Sequence, residues 1–116
     1  MVVVARASKP TRGVMSARQR LPSRHLCETF SFEHGGLKYT ASIARYASGE
    51  LAEIFVFNHK SGSDADAAAK DSAVICSIAL QHGVPVETIR RALLRDAQGR
   101  PSPPLGAALD IVVRAP

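Results

Sequence analysis

The densest set of chemistry-bearing residues is Asn58-His59-Lys60-Ser61-Gly62-Ser63-Asp64. Small residues there let backbone N–H groups converge, and Lys60 carries a full positive charge. A helical pattern begins directly afterwards, so a helix N-terminus adds partial positive charge. Those are the ingredients of a cradle for a phosphate or carboxylate, with Lys60, Ser61, Gly62 and Ser63 as candidate anion-binding residues. The GxxxxGK[ST] order of a Walker loop is absent. A competing reading is structural: Ser61 or Ser63 is the N-cap, and Asp64 or Asp66 completes a capping box. Those carboxylates would contest the same N–H groups with any bound anion.

Other reactive side chains are scattered. His25, His34, His59 and His82 show no metal-ligand spacing such as HxxxH, and the only two cysteines, Cys27 and Cys76, form no CxxC pair. This predicts no metal site within one chain, two inert thiols, and no disulfide framework. It suits a reducing, cytoplasmic setting. No GxSxG elbow marks a nucleophile, and Asp64, Asp66 and Asp71 are explained by the helix dipole alone. No catalytic residue and no cofactor are expected.

The elements that must hold these residues are legible from periodicity. His25 to Glu33 alternates Leu26, Phe30 and Phe32 with Cys27, Thr29, Ser31 and Glu33, the period of a strand with one buried face. Gly35-Gly36 is a hairpin signal. The next run places Leu37, Tyr39, Ala41 and Ile43 on one face, and Ala47-Ser48-Gly49-Glu50 turns the chain again. In Leu51 to Asn58, Ile54, Phe55, Val56 and Phe57 are apolar on both faces, as in a strand covered on both sides. These four are the candidate oligomer interface.

Asp64 to His82 reads as a long helix with an apolar stripe through Ala68, Ile75, Ile78 and Ala79, stopped by Gly83. Glu87 to Leu94 reads as a shorter helix with Ile89 and Leu93 inward and Arg90 and Arg91 outward. Leu105 to Val113 is a last helix or an extended segment, with Gly106 weakening the helix. The expected fold class is α+β: a three-stranded antiparallel meander followed by two or three helices packed on one face.

A chain of 116 residues favours one small domain, and a formal net charge of +5 conceals an asymmetry. Residues 1–24 hold six basic residues and no acid, which leaves nine basic against ten acidic residues for the rest. The expected division is therefore a basic, disordered leader over 1–22 and a single domain over 23–116. No aromatic residue interleaves the leader's arginines to stack on bases, so nucleic acid is a weak expectation as partner. No apolar run approaches the ~20 residues of a membrane span.

The order of motifs resembles the TSCPD domain, the module known from the C-terminal end of adenosylcobalamin-dependent ribonucleotide reductases. The resemblance rests on Gly35-Gly36, the strand Glu53 to Asn58, Lys60-Ser61-Gly62, His82-Gly83-Val84-Pro85, and Ile89 with Leu93, over roughly residues 22–112. Nothing in the chain corresponds to the catalytic barrel of a reductase or to its cysteine-rich C-terminal motifs. The resemblance thus implies a non-catalytic accessory or interaction module in nucleotide metabolism, acting in trans on a reductase-type protein. A homodimer or other homo-oligomer is the simplest assembly. The alternatives are a nucleotide- or nucleic-acid-binding protein using the Lys60 loop and basic leader, or a small enzyme whose site forms only in an oligomer.

Overall fold

The computed structural model describes residues 17–114. Arg6, Lys9 and Arg12 of the basic leader lie outside the described residues. The architecture is α+β: strands β1 (Glu28–His34), β2 (Leu37–Arg45) and β3 (Leu51–Asn58), then helices α1 (Asp64–Gln81), α2 (Val86–Ala92) and α3 (Pro104–Arg114). The sheet is an antiparallel meander in the order β1-β2-β3. Gly35 and Gly36 both take positive φ, 59° and 78°, as a two-residue hairpin turn of the right twist requires.

Alternation along the strands sorts the side chains as period two demands. Tyr39, Ala41 and Ile43 of β2 and Ile54 and Val56 of β3 are buried, with Phe30 and Phe32 of β1 packed against them. Phe32 stacks on Tyr39 with ring centroids 5.6 Å apart. The helices supply Ala69, Ala73, Cys76 and Leu80 from α1 and Leu105, Ala108, Leu109 and Val112 from α3. Thr29, Ser31, Thr40, Ser42, Phe55 and Phe57 occupy the opposite sheet face.

The long helix packs differently from the expected stripe. Its buried positions are Asp66, Ala69, Ala73, Cys76, Ser77, Leu80 and Gln81, whereas Ile75 is 68% exposed and Val74 and Ile78 are also exposed. The reason lies at the edge of β3. Asp66 Oδ1 accepts from Asn58 N (3.0 Å), Ser77 Oγ accepts from Ile54 N (2.9 Å) and donates to Ile54 O (2.8 Å), and Gln81 Nε2 donates to Ala52 O (3.2 Å). The helix thus serves as the missing neighbour of an edge strand, satisfying backbone groups that would otherwise be buried without partners. Alanines between these polar residues let the backbones approach closely.

The smaller helices are tied by charge. Asp110 is buried on α3 and accepts from Arg90 Nε (3.0 Å) and Nη2 (2.8 Å), and from Arg95 Nη2 (2.9 Å) and Nη1 (3.1 Å). Arg90 therefore turns inward, contrary to the expected outward placement, because it meets a buried carboxylate 20 residues away. The C-terminal segment is helical despite Gly106, and packing explains the glycine: a Cβ there would lie 2.9 Å from Pro101 Cβ. The start of the described chain is fastened too, with Gln19 N donating to Gln81 O (2.7 Å) and Arg18 Nε to Gln81 Oε1 (2.6 Å).

Candidate functional site

The Lys60 loop joins β3 to α1, and its geometry is decided by Asp66. Ser63 is the N-cap: its Oγ accepts from Asp66 N at 3.1 Å and donates to Lys60 O at 2.7 Å. Asp66 does not close an ordinary capping box. Its two oxygens reach further back, Oδ1 to Asn58 N and Oδ2 to Gly62 N (3.0 Å each), and Oδ2 also pairs with Lys70 Nζ at 2.8 Å. Lys70, then the two backbone donors, hold the Asp66 carboxyl below the usual carboxylate range against the opposing effect of burial. The side chain is only 2% exposed. An internal carboxylate thus takes up two N–H groups that flank the loop, those of Asn58 and Gly62. Lys60 and Ser61 are exposed beside it, and Asn58 Oδ1 accepts from Lys60 N at 2.8 Å.

The four candidate interface residues of β3 divide between two surfaces. Ile54 and Val56 are fully buried in the chain's own core, while Phe55 is half-buried and Phe57 exposed on the other sheet face. Lys70 Nζ lies 5.8 Å from the Phe57 ring centroid. Lys70, Val74 and Ile78 form one i, i+4 row along α1, and Ile75 stands beside it. Lys70 thereby brings the N-terminal end of that row close to Phe57. The sequence signal for that ridge was present but pointed inward, because hydrophobic periodicity does not register the polar residues that claim the buried face.

A second group gathers on the open sheet face. His25 Nε2 lies 3.0 Å from Glu53 Oε2, and His25 Nδ1 lies 2.8 Å from the Pro22 carbonyl. The Pro22 contact, then Glu53, raises the histidine above its ordinary range. Cys27 completes the group: one donor atom each from His25, Cys27 and Glu53 lies within 4.8 Å of the others. Spacing along the chain concealed it, since 28 residues separate His25 from Glu53. The available clue was parity. Residues 25 and 27 share one side of an extended segment, and Glu53 faces the same side from β3.

The remaining candidates are spent on structure. His34 Nε2 donates to Ser102 O (2.7 Å), and Thr40 Oγ1 lies 2.9 Å from His59 Nε2. Cys76 is buried beneath α1, and desolvation pushes its thiol up to about 11, a poor nucleophile near neutrality. A cleft of about 890 Å³ opens between the β2–β3 turn and the helices, floored by Ile43, Leu51, Leu80 and Val112, with Glu28 and Arg45 in its lining. Among the described residues that lining contains no histidine, cysteine, serine, threonine or lysine.

The fold is therefore a three-stranded sheet with one edge closed by a helix, and its polar groups are engaged mainly in holding it together. Over 74 residues, 64% of the chain, it is 34% identical to vitamin B12-dependent ribonucleotide reductases of Bradyrhizobium diazoefficiens and Agrobacterium fabrum. The matched stretch covers about 6% of the length of each of those proteins. Part of the chain is thus related to a short segment of such reductases. No family model and no solved structure matches it.

Proposed function

We propose that this protein is a non-catalytic accessory module of the TSCPD type, with its domain over residues 23–116 and its basic leader before it, acting by contact with another protein in the cytoplasm. The observation that carries the reading is the outward apolar ridge of α1. Val74, Ile75 and Ile78 are exposed while Asp66, Ser77 and Gln81 share the buried face with Ala69, Ala73, Cys76 and Leu80. A surface of that kind marks an interface. Relatedness to a small segment of much larger reductases supports a reductase-type partner, and a second copy is the simplest one. Among the described residues no helix is long and apolar enough to cross a membrane.

The alternative of a nucleotide-binding Lys60 loop has less support, because the Asp66 carboxylate already receives the Asn58 and Gly62 N–H groups. The test is light scattering of the chain at tens of micromolar. It is run alone and with a vitamin B12-dependent reductase from which the related segment has been deleted. Ile75→Glu serves as the control, since the exposed position tolerates charge without unfolding. Self-association or complex formation that Ile75→Glu abolishes supports the proposal. A monomer that ignores the reductase overturns it.

A further inference from the structure

We propose that His25, Cys27 and Glu53 form a mononuclear site for a thiophilic divalent cation, Zn²⁺ foremost, on the open face of the sheet. The argument begins with the hydrogen bond at the back of the imidazole. A carbonyl can only accept, so the 2.8 Å contact to Pro22 O places the proton of neutral His25 on Nδ1 and leaves the Nε2 lone pair facing Glu53 Oε2 at 3.0 Å. Two acceptors cannot face each other at that distance without a cation between them. A proton can fill that role, and so can a metal ion. A backbone carbonyl on the far nitrogen is also the usual device that orients a metal-ligating histidine.

Cys27 decides between the two. A proton shared by His25 and Glu53 needs no third group, yet the Cys27 sulfur lies within 4.8 Å of a ring nitrogen of His25 and a carboxylate oxygen of Glu53. Tetrahedral Zn²⁺ with bonds of about 2.0–2.3 Å sets its ligand atoms roughly 3.4–3.6 Å apart. Small side-chain rotations open the 3.0 Å His25–Glu53 separation and draw in the sulfur to reach those values, and His25 and Cys27 are exposed enough to make them. Thiolate, imidazole and carboxylate together select zinc-like ions over Mg²⁺ or Ca²⁺, which want oxygen alone.

The register explains how three separated residues meet. Glu53 pairs with Ala44 of β2, and Glu28 pairs with Ile43, so Cys27 stands one position beyond the end of β1, on the far side of Ala44 from Glu53. The short Ala44 side chain leaves the space above it to the longer arms of Glu53 and His25. Three protein donors leave a fourth position open, for water or for a donor from a second copy. The site is independent of the relationship to reductases and of the α1 ridge.

Co²⁺ titration of the metal-free full chain tests it, because a cobalt–thiolate bond gives a charge-transfer band in the near ultraviolet. The band is expected to saturate at about one equivalent and to be displaced by Zn²⁺. Cys27→Ser should abolish it, Cys76→Ala should retain it, and His25→Ala or Glu53→Gln should weaken affinity roughly tenfold or more, as loss of a ligand requires. Circular dichroism on each variant separates loss of the site from loss of the fold. Absence of the band in folded wild-type protein overturns the proposal, and so does a band that survives in Cys27→Ser.

Discussion

Replacing Asp110 by Asn is the sharpest probe of how this small domain is held together. The Asp110 side chain is 7% exposed and receives four hydrogen bonds from Arg90 and Arg95, joining α3 to α2 and to the segment after it. Arg95 foremost, then Arg90, holds the carboxyl down at about 2 from an ordinary 3.8, with burial acting the other way. A difference of that size corresponds to about 2.5 kcal/mol favouring the native state once the carboxylate is ionised. The unfolded chain takes up its proton near the ordinary value and the native chain only near 2. The contribution is therefore complete above about pH 4 and drains away as pH falls towards 2. Asn preserves the shape, but it sets an amide N–H₂ against guanidinium donors and leaves two partly buried cations short of an acceptor. The expected loss at pH 7 is about 3 kcal/mol, the lower end for breaking a buried ion pair, or a fall in Tm of roughly 12 °C for a domain of this size. Urea unfolding at pH 7, 4 and 2.5 measures it. The gap between wild type and variant should be nearly the same at pH 7 and 4 and clearly narrower at pH 2.5. A loss under about 1 kcal/mol at pH 7, or a gap unchanged at pH 2.5, would refute the reasoning.

The helix that closes the sheet edge and the loop before it give two further expectations. Ser77→Ala strips both Ile54 backbone groups of their side-chain partner in a buried setting and should cost about 2–3 kcal/mol, read as a lower urea midpoint with an unchanged m-value. An unchanged midpoint would mean that water or a shift of α1 replaces the hydroxyl. At the loop, Ser63→Ala removes the N-cap and should cost about 1 kcal/mol. Lys60→Ala should leave the melting curve unaltered, and calorimetry should show no phosphate or nucleotide binding to the wild type that Lys60→Ala removes. Binding lost in Lys60→Ala would restore the loop as an anion site despite Asp66.

The meander was written in the sequence because its signals are local. Alternation in residues 28–34 and 37–43, two glycines able to take positive φ between them, and a serine ahead of an alanine-rich run each act within a few residues of chain. The side of α1 that is buried was not local information. Hydrophobic periodicity favours the stripe through Ala68, Ile75 and Ile78. The helix instead turns Asp66, Ser77 and Gln81 to β3, because an edge strand's unpaired backbone groups cost more to bury than a few apolar side chains cost to expose. Ile75 stands about 180° round the helix from that face, at 100° per residue from Asp66. Arg90 followed the same logic on a smaller scale, since its orientation was set by a carboxylate that only the packing of α3 brings near. The gathering of His25, Cys27 and Glu53 likewise needed the register of three strands, because no spacing along the chain records which residues face each other across a sheet.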